Sequence, residues 1–150
     1  GVFNWESTAQ GRMVDLEALG LPRGSYWVGD LWEREVRRLN PGQLLAFDRI
    51  PAHGGHLLAV RPVTQTPQWV ASDFHFSQGC EVVTWTPGER DVKLELSLGR
   101  KAVGAITLAL PSTTAHVVVA GSDVQPHVLG PDLVRIPLTV DLHAEIHVTW

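Results

Sequence analysis

The heptapeptide Val92-Lys93-Leu94-Glu95-Leu96-Ser97-Leu98 alternates apolar and polar side chains at every step. A period of two belongs to an extended strand, whose successive side chains leave opposite faces, so the valine and the leucines face a core while Lys93, Glu95 and Ser97 face water. Downstream, Gly99-Arg100-Lys101 reads as a turn. Residues 105–110 then alternate again, with Ile106, Leu108 and Leu110 inward. Residues 116–120, 133–138 and 144–150 read as further strands, the last placing Ala144, Ile146, Val148 and Trp150 on one face. Short strands separated by turn signals at this spacing predict an all-β fold, an antiparallel β-sandwich of Greek-key-like organisation.

Upstream the strands are shorter. Residues 3–5, 25–28 and 44–50 carry strand composition, and residues 17–22 a short helical turn stopped by Gly20 and Pro22. In Leu31-Trp32-Glu33-Arg34-Glu35-Val36-Arg37-Arg38-Leu39 a helix competes, but nine residues without a partner helix make a marginal element. A turn at Trp32-Glu33-Arg34 followed by a strand over 36–39 is the better reading. Pro51 and the Gly54-Gly55 pair form a turn that feeds an apolar run, His56-Leu57-Leu58-Ala59-Val60, with Pro62 ending its regular pairing. A second run, Trp69-Val70-Ala71-Ser72, leads into Phe74-His75-Phe76, where the histidine points opposite to the two phenylalanines and, if these are core, faces solvent or a neighbouring domain. The prolines at 62 and 67 mark the nearest thing to a boundary. Two parts are therefore expected, 1–62 and 63–150, either two small packed sandwiches or one continuous sandwich that turns a corner. The opening Gly1-Val2-Phe3-Asn4-Trp5 reads as strand interior rather than a targeting segment, so a piece of a longer protein is expected, its first sheet lacking an opening strand.

Four segments in order carry a resemblance: FNW at 3–5, LGLPRGSYWVGDLW at 19–32, IPAHGGHLLAVRPV at 50–63 and ASDFHFSQG at 71–79. Together they resemble the region that follows the catalytic barrel in α-galactosidase-type glycoside hydrolases of the melibiase group, closely over 2–79 and loosely beyond. The resemblance implies a parent enzyme with a (β/α)-barrel, two catalytic aspartates and retention at terminal α-linked sugars. Barrel active sites sit on loops that this chain does not contain. By itself the chain is therefore expected to hydrolyse nothing; the resemblance implies a C-terminal sandwich that packs on the barrel, buttresses it and joins subunits.

Composition agrees with a packed body. The 150 residues are 44% hydrophobic and 19% charged, a globular balance, and no apolar run nears the roughly 20 residues that cross a bilayer. A soluble domain with no membrane partner is expected. With a net charge of −4 and basic residues gathered only at Arg34, Arg37 and Arg38, there is no footprint for nucleic acid. Cys80 is the single cysteine, which excludes an internal disulfide and a cage of thiolates, and leaves the compartment open.

The motifs of hydrolases, phosphate-binding loops and zinc proteases are absent, and no catalytic residue or cofactor is expected. Seven histidines raise the question of metals. His53 and His56 flank a flexible turn but lack a third ligand nearby, while His143, Glu145 and His147 leave one strand face about 6.8 Å apart, too far to converge. No metal site is expected. Six tryptophans are a surplus in a chain of this size. Flat rings stack on sugars, which makes Trp27, Trp32, Trp69 and Trp85 candidates for a carbohydrate platform; the competing reading is that such large rings fill a core. Trp5, Trp32, His56 and His75 are the candidates for contact with a neighbouring domain. Two other functions stay open: a carbohydrate-binding module, and a self-standing interaction domain.

Overall fold

The computed structural model describes residues 1–112 and 114–150. Among them no helix forms, so none is long and apolar enough to cross a membrane, and every paired strand is antiparallel. The fold is all-β and sandwich-like. The chain divides into two compact units, Gly1–Val63 and Thr64–Trp150.

The first unit holds seven short strands: β1 (Val2–Phe3), β2 (Gln10–Val14), β3 (Tyr26–Asp30), β4 (Glu35–Leu39), β5 (Leu45–Ile50), β6 (Gly55–His56) and β7 (Leu58–Pro62). They form three small sheets, β1 with β6, β2 with β5, and β3 flanked by β4 and β7. Their common core is Leu16, Tyr26, Val28, Leu39, Leu45, Phe47 and Ile50. The competition over 31–39 resolves against the helix: a turn at 31–34 connects β3 to β4, with Asp30 opposite Glu35. Two expectations shift here. The polar stretch 6–12 has the composition of a turn, yet Gln10 to Arg12 already belong to β2, because Gln10 pairs with Ile50 and Arg12 with Phe47. The apolar run from His56 is broken at Leu57, whose carbonyl accepts a bond from Leu31 N–H, and Pro62 stays in register with Tyr26, since it still offers a carbonyl.

The second unit is one seven-stranded sheet folded on itself. Its strands are β8 (Gln68–Ser72), β9 (Val82–Pro87), β10 (Asp91–Ala109), β11 (His116–Val119), β12 (Ser122–Val124), β13 (His127–Gly130) and β14 (Leu133–Thr149). The heptad at 92–98 was expected to end at a turn, and 133–138 and 144–150 to be separate strands. Instead β10 and β14 run as two long partners, paired from Asp91 with Thr149 to Ala109 with Leu133. Their register is interrupted only between Ser97 and Lys101, where Gly99 has φ 63° and, on the facing strand, Leu142 has φ 68°. An irregularity of this kind bends a strand without reversing it, so both strands turn the corner between two layers of a sandwich. On one side of the corner β9 joins β10 and β11 joins β14; on the other side β8 joins β10 and β13 joins β14. β14 lies between β10 and β11, and β12 pairs on the far side of β11, so the chain leaves β12 and returns past β11.

The inward parity read from the alternation survives the corner. Val92, Leu94, Leu96, Ile106, Leu108, Val134, Ile136, Val140, Ile146 and Val148 make one core. Each fully buried Val or Ile there contributes about 1.5–3 kcal/mol of apolar transfer.

Candidate functional site

Two places concentrate side-chain chemistry, one in each unit. In the first unit the organising group is Asp30, at the end of β3. Its Oδ1 accepts bonds from the backbone N–H groups of Trp32 (3.1 Å) and Glu33 (3.3 Å), which fixes the β3–β4 turn. Oδ2 lies 2.5 Å from His56 Nδ1, both side chains being largely buried. The His56 ring also packs on Phe47 at 4.5 Å between centroids, and the Arg37 guanidinium lies 5.2 Å from the same phenylalanine. These groups line a groove of about 400 Å³ in the first unit. Its one aromatic ring, Phe47, is already engaged by His56 and Arg37. The groove therefore offers no free ring on which a sugar can stack.

What the Asp30 bonds achieve is the presentation of Trp32, 55% exposed at the turn. Trp5 is 78% exposed and stacks on half-exposed Phe3, centroids 5.7 Å apart. Between these two, Asn4 is wholly buried: its Nδ2 donates to the carbonyls of Thr8, Ile50 and Pro51, and its backbone N–H to Gly54 O. One buried amide thus holds a segment whose two neighbours on either side are large exposed rings. Sequence reading named Trp5 and Trp32 but missed Asn4 and Asp30 as the residues that hold them. An asparagine between two aromatics in an otherwise strand-like segment was the available signal.

The four tryptophans considered for a sugar platform do not come together as open faces. Trp27, 3% exposed, has the Arg38 guanidinium 5.7 Å from its ring, and Trp69, 9% exposed, is in the second core with its Nε1–H donated to Gln78 O at 2.7 Å. Trp85 is partly buried against that same core. Of the four only Trp32 presents its ring to solvent. His56, considered for contact with a neighbouring domain, is committed to Asp30 and Phe47.

In the second unit the loop between β8 and β9 is the chemical centre. The expected strand character of 74–76 gives way to turns, with Phe74 buried and Phe76 exposed rather than both facing the core. Gly104 explains the asymmetry, because a Cβ there would stand 2.9 Å from the Phe74 ring, and its absence makes the space that ring occupies. The loop is anchored by Asp73, whose Oδ2 pairs with Arg135 at 2.5 Å, and by Arg100, which donates to Phe74 O at 3.2 Å. Beyond these anchors His75, Cys80 and Glu81 bring a ring nitrogen, a thiol sulfur and a carboxylate oxygen within 4.8 Å of one another. His75 was read as pointing away from its neighbours. It faces Ser77 and Cys80 instead, its Nδ1 being 2.9 Å from Ser77 Oγ and 3.1 Å from Cys80 Sγ. Sequence reasoning set Cys80 aside as a single thiol and gave Glu81 no role, so the three were never assembled.

The outer face of the same unit matches the expectation for His143, Glu145 and His147. Each histidine finds its own acid, His143 at 3.8 Å from Glu95 and His147 at 2.9 Å from Asp91, and the three do not converge.

No protein-family model matches the chain, and no curated protein matches it.

Proposed function

We propose that this chain is a non-catalytic packing module, the C-terminal β-sandwich region of an α-galactosidase-type glycoside hydrolase, and that the first unit docks on the catalytic barrel of the parent chain through Trp5 and Trp32. The four ordered segments of resemblance supply the family. The observation that carries the docking role is the exposure of two tryptophans and a phenylalanine, each held by buried polar bonds rather than left on a loose loop. Rigid exposed aromatics suit a protein interface, where Trp and Tyr are enriched and lose little side-chain entropy on binding. A polar surface at this segment would have removed the reading's support.

A carbohydrate-binding module is the rival function. It needs coplanar open rings, and the burial of Trp27 and Trp69 counts against it.

The experiment is a fluorescence titration with galactose, an aryl α-galactoside and a soluble galactan, combined with an assay for release of the aryl group. The packing reading predicts unchanged tryptophan emission at millimolar sugar and no hydrolysis. Saturable quenching that is lost in Trp32→Ser would instead establish the sugar-binding function, and turnover by the chain itself would overturn the non-catalytic one.

A further inference from the structure

The geometry points to a divalent transition-metal site of the zinc class on the β8–β9 loop, with His75 Nδ1, Cys80 Sγ and the Glu81 carboxylate as ligands and a fourth position open to solvent. It stands apart from the docking role of the first unit and rests on none of the same residues.

The first observation is the donor cluster itself. Nitrogen, sulfur and oxygen atoms within 4.8 Å of one another include a 3.1 Å approach between Nδ1 and Sγ. Tetrahedral zinc, with bonds of about 2.0–2.3 Å, holds its donors roughly 3.5 Å apart. Seating an ion therefore requires a small adjustment of the donors and release of the Ser77 N–H bond to Nδ1.

The second observation is independent of the cysteine. Glu81 is 2% exposed, and its Oε2 is buried without any hydrogen-bond partner. Its other oxygen, Oε1, accepts the Ser72 hydroxyl, which in turn accepts the Phe74 N–H at 3.1 Å. A buried carboxylate oxygen with nothing to accept from has lost its hydration without compensation. A cation at the cluster would give this carboxylate a partner, and the Ser72 bond is the kind of outer contact that orients a ligating carboxylate.

The third is the state of the imidazole. Ser77 N–H donates to His75 Nδ1 at 3.1 Å, so that nitrogen carries its lone pair and the ring proton sits on Nε2. That lone pair is the one an ion would take, so binding exchanges the Ser77 N–H bond for the metal, and the 3.1 Å approach of Cys80 Sγ to the same nitrogen keeps both donors within reach of one ion. Ser77 Oγ is meanwhile engaged as an acceptor by Cys80 N–H at 2.9 Å, which fixes the cysteine relative to the histidine. Trp69 Nε1–H holds the loop from beneath through Gln78 O.

Charge and softness choose the metal. A thiolate and a carboxylate balance a divalent ion, and binding releases the thiol proton to solvent. Sulfur and imidazole disfavour magnesium and calcium, whereas the mixed set suits Zn²⁺ and its spectroscopic substitute Co²⁺. The exposed side of Cys80 leaves room for water as the fourth ligand.

The test is a titration of the purified chain with Co²⁺ under a non-chelating reductant, followed by near-ultraviolet absorption. One thiolate-to-cobalt charge-transfer band per chain is expected, saturating at one equivalent and displaced by Zn²⁺. Cys80→Ser, at an exposed position that folding does not depend on, should abolish the band. His75→Ala and Glu81→Gln should weaken binding by about tenfold or more, while His143→Ala and His147→Ala leave it unchanged. No band at millimolar Co²⁺, or a band that persists in Cys80→Ser, overturns the assignment.

Discussion

Asn4 and Asp30 show how single polar side chains decide where the first unit places its aromatics. Asn4 donates its amide to three carbonyls that would otherwise be buried with fewer partners, so Asn4→Ala should cost about 2 kcal/mol in chemical denaturation. Asn4→Asp should cost more, because it turns a donor into an oxygen facing three oxygens. The order of the two variants is the informative result, since a mere loss of volume would make Ala the worse. Asp30 carries two roles that substitution separates. Asp30→Asn keeps an oxygen for the Trp32 and Glu33 N–H groups and should cost about 1 kcal/mol through the weakened His56 contact. Asp30→Ala loses both and should cost about 3 kcal/mol, with increased mobility of the Trp32 indole in time-resolved anisotropy. Neither residue was read as a key group, although the asparagine between two aromatics was a signal for Asn4. The capping bonds of Asp30 are local, but its His56 partner lies 26 positions away and the Ile50 carbonyl 46 positions from Asn4, and no local pattern names those two.

At the scale of elements, the alternation over 92–98 was fully legible and the corner that follows it was not. Gly99-Arg100-Lys101 has the composition of a reversal, and only the facing strand reveals that the chain continues. Leu142 has no turn signature at all, yet it adopts a left-handed conformation that costs a branched side chain about 1–2 kcal/mol. Because its side chain is half exposed, little packing is lost on truncation. Leu142→Gly should therefore stabilise the second unit by about 0.5 kcal/mol net of the added freedom of the unfolded chain. Gly99→Ala should do the opposite, by about 1 kcal/mol, and through the backbone alone, since a Cβ there meets no atom within 4 Å. Thermal unfolding of the two variants in parallel checks both signs; a destabilised Leu142→Gly would mean that the leucine packs on something the corner requires. The loop at 73–81 was misread for a related reason. A Phe-His-Phe triplet has strand periodicity, but the space left by Gly104 accepts one ring and not the other.

For the whole molecule, the sequence carried the class of fold, the turn between β3 and β4, and the inward parity of the long strands, because these follow from periodicity. Exposure of particular tryptophans did not follow, since a ring that fills a core and a ring that docks on a partner have the same composition. The two units differ: the first presents exposed aromatics, and the second has its own core and carries the His75, Cys80 and Glu81 cluster on a loop. The docking proposal requires that Trp5 and Trp32, exposed here, be covered in the proposed parent enzyme. Hydroxyl-radical footprinting of the isolated chain and of the full-length parent, read at these two residues by mass spectrometry, tests it most directly. The account predicts severalfold lower labelling of both indoles in the parent, with Trp69 protected in each; equal labelling of Trp5 and Trp32 in the two samples would contradict it.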